Sequence, residues 1–362
     1  MKRYLWISLM IALGVFILLV ACRPPDVEGL VVRINQQLFD DETYQLAEQA
    51  VQNNPGNAEA WYYYGWLYGK KENFEKMNEA FDKAMALNPQ QPVKADGTSM
   101  PVKDAVERVK MGYFAENFNA GKAQYDKARE STDAEKRNEY YEKAVEKFSA
   151  AHKADPTRLE PLQPLGLSLL YMGDTTGAES KFQEAVNIQP KNENLLVTAG
   201  DFYLQMGQTE KAKEMYQKIL TINKDNENAY LGLGQIETYK GNWDNAAQYF
   251  EKALELNPDN TNIAFNIGVS FYNQEKYKEA IPYLKKTIEI EKDNVEIYQV
   301  LGICYVQSQM WDEGMVFLEG AVEKFPDSLD LWNYLAIVYA NKGMKDKAEE
   351  AMRKTKELEG NM

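Results

Sequence analysis

Histidine is almost missing from the 362 residues, occurring once at His152, and cysteine occurs twice, at Cys22 and Cys304. One imidazole and two distant thiols supply neither the ligands of a metal site nor a disulfide framework. Cations are also short: 41 Lys and Arg face 55 Asp and Glu, a formal charge of −14. Such a balance repels nucleic-acid phosphate and anionic lipid headgroups. No glycine-rich loop leads from a strand into a helix; Gly232-Leu233-Gly234 lies inside a helical pattern, so no phosphate cradle is expected. Together these deficits predict no enzyme, no cofactor, no metal and no nucleic-acid partner. What is present is core material, 44% hydrophobic and 12% aromatic, enough for a continuous packed interior and too much for a disordered chain.

The one long apolar run, Tyr4 to Val20, follows Lys2 and Arg3 and ends in Leu19-Val20-Ala21-Cys22. It reads as a secretory signal, with an uncleaved membrane anchor as the alternative. The last four residues resemble the bacterial lipobox. That resemblance implies cleavage before Cys22, a diacylglyceryl group on its Sγ and acylation of the new amine. At about 0.8 kcal/mol per buried methylene, two or more chains hold a protein to a membrane without basic residues. Arg23, Pro24, Pro25, Asp26 and Gly29 resist helix and suit a tether. In similar Gram-negative families an aspartate after the lipidated cysteine retains the protein in the inner membrane. Arg23 stands in that place, so the resemblance implies the outer membrane, facing the periplasm.

The body repeats. Starts at Leu159, Glu193, Glu227, Thr261, Val295 and Leu329 are 34 residues apart, and the eighth residue of each is Gly166, Gly200, Gly234, Gly268, Gly302 or Ala336. The twentieth is Ala178, Ala212, Ala246, Ala280, Gly314 or Ala348, and the twenty-fourth is large and mostly apolar, from Phe182 and Tyr216 to Met352. Two antiparallel helices approach closely only where one presents Gly or Ala, and a bulky residue fills the space beside that contact. Asn257-Pro258-Asp259-Asn260 and its counterparts place a helix stop before the next N-cap. Gly173, Gly207, Gly241 and Gly343 mark the turn inside a pair.

These residues resemble the tetratricopeptide repeat. The resemblance implies an all-α fold, a right-handed superhelical solenoid of antiparallel helix pairs. It divides the chain into a signal peptide at 1–21, a lipidated amino terminus and tether at 22–37, and a partial leading repeat at 38–57 represented by its second helix alone. Repeats follow at 58–91, 159–192, 193–226, 227–260, 261–294, 295–328 and 329–362. Met77 holds the twentieth place of the copy at 58–91, which predicts a slightly opened pair. Residues 92–158 form a degenerate copy with an insertion: a loop from Gln91 to Pro101, then a long first helix over 102–129 that lacks the glycine in register. Its aromatics Tyr113, Phe114, Phe118 and Tyr125 either pack the long pair or form a second contact surface.

By the same resemblance, positions 2, 5, 9, 12 and 13 of each repeat face a concave wall that binds partners. Tyr62, Trp66, Tyr171, Asp201, Gln235, Tyr239, Phe265, Val269, Tyr272, Asn273, Gln299 and Ile303 are the candidate groove residues, and among all such positions only Lys70 is basic. Family members that grip a terminal carboxylate use a cluster of cations there, which this wall lacks. Apolar and aromatic side chains interleaved with amides suit an apolar peptide or helix segment. Asn194, Asn228 and Asn262, at equal depth, either cap their helices or bond a peptide backbone. The resulting expectation is a membrane-anchored adaptor for protein partners in the cell envelope. The alternative is a glycan-binding outer-membrane lipoprotein of a nutrient-uptake system. His152, beside Lys153 near a helix end, reads as structural.

Overall fold

The computed structural model describes residues 23–360; the run expected to be a signal peptide, residues 1–21, and the expected lipidation site Cys22 lie outside them. The described residues divide into two compact units, one up to Ala185 and the other from Val186. The first contains α1 (Pro25–Asn35), α2 (Asp41–Asn53), α3 (Ala58–Lys70), α4 (Phe74–Leu87), β1 (Pro92–Ala95), β2 (Thr98–Pro101), α5 (Val102–Glu130), α6 (Ala134–Ala154), α7 (Leu162–Tyr171) and most of α8 (Thr175–Ile188). The second contains α9 (Glu193–Gln205), α10 (Thr209–Ile222), α11 (Glu227–Tyr239), α12 (Trp243–Leu256), α13 (Thr261–Asn273), α14 (Tyr277–Ile290), α15 (Val295–Gln307), α16 (Trp311–Lys324), α17 (Leu329–Asn341) and α18 (Lys345–Glu359). Each unit is a stack of helix pairs.

Packing follows the small residues. A Cβ added to Gly200 would lie 2.8 Å from the Tyr216 ring, one on Gly234 2.4 Å from Phe250, and one on Gly268 2.8 Å from Leu284. First helices begin on asparagine caps: Asn192, Asn226 and Asn260 accept from the backbone of Leu195, Ala229 and Ile263. Asn194, Asn228 and Asn262 therefore do no capping; they are exposed on the first helical turn. The cap amides also reach across pairs. Asn223 and Asn226 donate to Glu193 Oε2 at 3.0 and 2.8 Å, and Asn257 and Asn260 repeat the arrangement on Glu227.

Three expectations are corrected in the first unit. Residues 25–35 are helix α1 instead of tether: Pro25 takes the first helical position, where its missing N–H costs nothing, and Val27, Leu30 and Val31 are buried on one face. The leading repeat is thus a complete pair, α1 with α2. Arg23, just ahead of α1, is held by Glu59 at 2.9 Å and Glu28 at 2.8 Å. Second, the expected loop before the long helix contains an antiparallel hairpin, Pro92–Ala95 paired with Thr98–Pro101. Asp96 and Gly97 take positive φ of 49° and 76°, as a two-residue hairpin turn requires. Third, the long helix does carry the small residue: a Cβ on Gly121 would meet the Phe148 ring at 2.8 Å. The partners lie farther apart in sequence than elsewhere because both helices are lengthened. Met77 is fully buried; its sulfur occupies the space left by Gly69, which a Cβ would bring to 2.9 Å.

Candidate interaction site

The structure gathers the candidate groove residues into separate places. In the second unit, Asp201, Gln235 and Tyr239 line one notch of about 440 Å³ with Val197, Leu204, Gln205, Asn228, Leu231 and Gly232. All come from α9 and α11, whose 3.6-residue period turns the fifth, ninth and later positions to one side. Tyr239 is 77% exposed, far more than packing would leave a ring. Asp201 Oδ1 accepts a 2.6 Å hydrogen bond from Tyr216 Oη. Surrounding protein pushes the Asp201 carboxyl above its ordinary value, partly offset by that bond, and burial with the adjacent carboxylate pushes the Tyr216 phenol up.

Phe265, Val269, Tyr272 and Ile303 are half-buried. Phe265 and Tyr272 pack against the core around Ile297 and Leu301, and Tyr272 meets Tyr277 edge-on at 5.8 Å. Their apolar surface is largely spent on neighbouring helices. Asn273 Nδ2 donates to the Val269 carbonyl, and Gln299 Nε2 donates to Asp330 Oδ2 at 3.0 Å and Ser328 Oγ at 3.2 Å.

In the first unit, Trp66 opens on a cleft of about 520 Å³ that also involves Phe39, Lys70, Lys94 and Asp96; Tyr62, expected in the groove, is instead 1% exposed and stacked on Phe81 in the core behind it. The Phe39 and Trp66 rings lie 5.6 Å apart, and Lys70 Nζ sits 5.2 Å from the Trp66 ring centre. The hairpin forms one side of this cleft. Tyr63 Oη accepts from Lys94 N at 3.0 Å and donates to Lys94 O at 3.2 Å, while Val93 and Ala95 are buried. Phe39, Lys94 and Asp96 were invisible as site residues because they lie outside the repeat positions; Asp96-Gly97 was the one local signal. Tyr171, 55% exposed, stacks on Tyr141 at 5.1 Å beside Tyr125. His152 is structural: its ring nitrogens lie 3.3 Å from the Arg158 carbonyl and 3.1 Å from Glu184 Oε1. Cys304 is fully buried, and burial pushes its thiol up to about 12, which removes it from thiolate chemistry.

With small residues facing large ones pair after pair, the sequence matches the family described as Tetratricopeptide repeat protein 21 C-terminal ARM domain over residues 118–304, and a tetratricopeptide repeat over residues 46–77. The chain belongs to the tetratricopeptide repeat family. No curated protein matches it. Solved structures similar to this tetratricopeptide protein include YrrB, described as a protein of this repeat class with an unusual peptide-binding site: 24% identity, TM-score 0.46, covering 49% of this chain and 91% of that one. A tetratricopeptide repeat protein from Parabacteroides merdae shows 19% identity and TM-score 0.47 over 68% of this chain and 93% of its own. MamA from Desulfovibrio magneticus shows 21% and 0.41 over 47% and 96%. Among the described residues of this tetratricopeptide protein, no helix is long and apolar enough to cross a membrane.

Proposed function

We propose that the protein is a lipid-anchored scaffold of the bacterial envelope that holds an apolar polypeptide segment against its first-helix walls. Acyl chains on Cys22 attach it, in this reading, to the outer membrane on the periplasmic side. The observation that carries the binding role is the notch on α9 and α11: a ring left 77% exposed beside Leu204 and Leu231, with the amides of Asn228 and Gln235 within the same hollow. Apolar anchors with adjacent amides fit a peptide's side chains and backbone together.

A photo-cross-linking residue at position 239, in cells, tests the binding role. It should capture a polypeptide that the same residue at Val316, 69% exposed on second helix α16, does not. Equal capture from both positions, or none from 239, removes the wall from the reading. The anchor is tested separately: Cys22→Ala should abolish fatty-acid labelling and leave the precursor uncut. A glycan-binding role is favoured by the exposed Tyr171 ring on its tyrosine stack. It requires oligosaccharide binding that Tyr171→Ala loses.

A further inference from the structure

The carboxylate in the α9/α11 notch is not something the repeat demands. At the twenty-fourth position the regular pairs otherwise carry Phe, Leu or Met, and Tyr216 alone brings a hydroxyl there. At the ninth position they otherwise carry Trp, Leu, Gln, Val or Ile, and Asp201 alone is an acid. The two exceptions fall in the same pair and bond to each other at 2.6 Å. A third exception makes room for them. Gly232 on α11 sits so close to the phenol that a Cβ there would lie 2.3 Å from Tyr216 Cζ. A core tyrosine, a groove acid and a glycine thus form one device whose product is a carboxylate fixed in position.

That carboxylate lacks a cation. Asp201 is exposed to the notch and, among the described residues, makes no ion pair; Tyr216 occupies Oδ1. The cation next along α11, Lys240, is held by Glu210 at 2.7 Å. Of the wall positions from Asn194 to Asn341 none is Lys or Arg, while Glu296 and Asp330 add further negative charge. Burial raises the carboxyl, so ionised Asp201 is a cost to the folded state that the chain itself leaves largely uncompensated. Around it stand aliphatic walls, Val197, Leu204 and Leu231, and the exposed Tyr239 ring.

We infer that the notch receives a lysine or arginine side chain of the bound polypeptide, with its head on Asp201 and its stem along Val197, Leu204 and Leu231. Long cationic side chains lay methylenes on apolar surface while the charge stays with polar partners. Arginine suits the place better than lysine, because its planar fork can pair with a carboxylate and lie on a ring at once. The inference rests on the scaffold reading above and specifies what the held segment carries: a basic anchor within an apolar stretch. Charge complementarity with a wall bearing acids and no bases selects this occupant over an acidic or a purely apolar one.

The test selects phage-displayed random dodecapeptides on the intact protein and on Asp201→Asn, which keeps an acceptor for Tyr216. One selected peptide is then resynthesised with its basic residue replaced by citrulline, arginine's uncharged counterpart, and titrated by fluorescence anisotropy. Peptides selected on the native protein should share a basic residue at one position, and citrulline there should weaken binding about tenfold, the worth of a charge-assisted hydrogen bond. That difference should vanish in Asp201→Asn and shrink in Tyr216→Phe. Selected peptides with no basic preference, or a citrulline effect that persists in Asp201→Asn, overturn the inference and leave the scaffold reading standing. Failure of any peptide to bind overturns both.

Discussion

Adding one methyl group at two helical glycines should move stability in opposite directions. Gly234 on α11 faces Phe250, and a Cβ there would lie 2.4 and 2.6 Å from two ring carbons, about 1 Å inside ordinary carbon contact. The Phe250 ring is 1% exposed and cannot retreat without moving its neighbours. Overpacking of this kind costs about 1–3 kcal/mol, of which up to about 1 is returned by replacing a helical glycine with alanine. With the full 1 kcal/mol returned, Gly234→Ala should therefore lose up to about 2 kcal/mol net. Gly320 on α16 has nothing within 4 Å of its notional Cβ, so Gly320→Ala should gain about 0.5–1 kcal/mol through the less flexible unfolded chain. Urea denaturation followed by helical circular dichroism reads the sign. Hydrogen exchange on α11 and α12 localises the loss, because repeat arrays need not unfold in one step. Combining Gly234→Ala with Phe250→Leu should recover part of the loss. Equal shifts for the two glycines, or no recovery in the double variant, would refute the claim that these residues are small for packing reasons.

Three further outcomes follow from the same geometry. Gln309 takes a φ of 57° at the turn between α15 and α16, a place held by Gly173, Gly207, Gly241 and Gly343 in four pairs and by Gln37, Glu72 and Glu275 in others; Gln309→Gly should stabilise by up to about 1 kcal/mol in thermal melts, since left-handed backbone strains any residue with a Cβ. Tyr63→Phe removes both hydroxyl bonds to Lys94 and should cost about 1–2 kcal/mol, with faster amide exchange confined to residues 92–101; unchanged exchange there would mean that the hydroxyl does not hold the hairpin. Asp201→Asn should be at least as stable as the native protein at neutral pH. The folded carboxyl is raised, so stability is lost as pH climbs from the ordinary carboxylate value through that raised one and stays lower by a constant amount beyond it, and the two proteins should converge in acid where both side chains are neutral. A less stable variant at neutral pH contradicts this.

Regular pairs were readable because their contacts sit at a constant separation: Gly200 with Tyr216 and Gly234 with Phe250 differ by the same number of residues, so a count along the chain finds them. Gly121 escaped the count. Its partner Phe148 lies farther along only because α5 and α6 are both longer, and a contact in space does not announce its separation. α1 was missed for a different reason. Arg-Pro-Pro-Asp speaks for extended chain locally, yet Val27, Leu30 and Val31 gain more from burial than the prolines lose at a helix start. The asparagine caps were legible as well: the stop motifs end on Asn226 and Asn260, which do cap, while Asn228, two positions beyond Asn226, already lies inside the first turn and takes no capping role.

By itself the sequence determined the repeat, the identity of the helix pairs and the poverty of cations along their first helices, because each depends on residue types at short, regular spacing. Only the tertiary structure decided that the Tyr216 phenol reaches the Asp201 carboxylate through the gap at Gly232, that Lys94 closes on Tyr63, and that Phe265 and Tyr272 are largely absorbed by packing while Tyr239 is not. Those outcomes depend on how much of each side chain its neighbours cover, and coverage is a property of three-dimensional contact that no periodicity encodes.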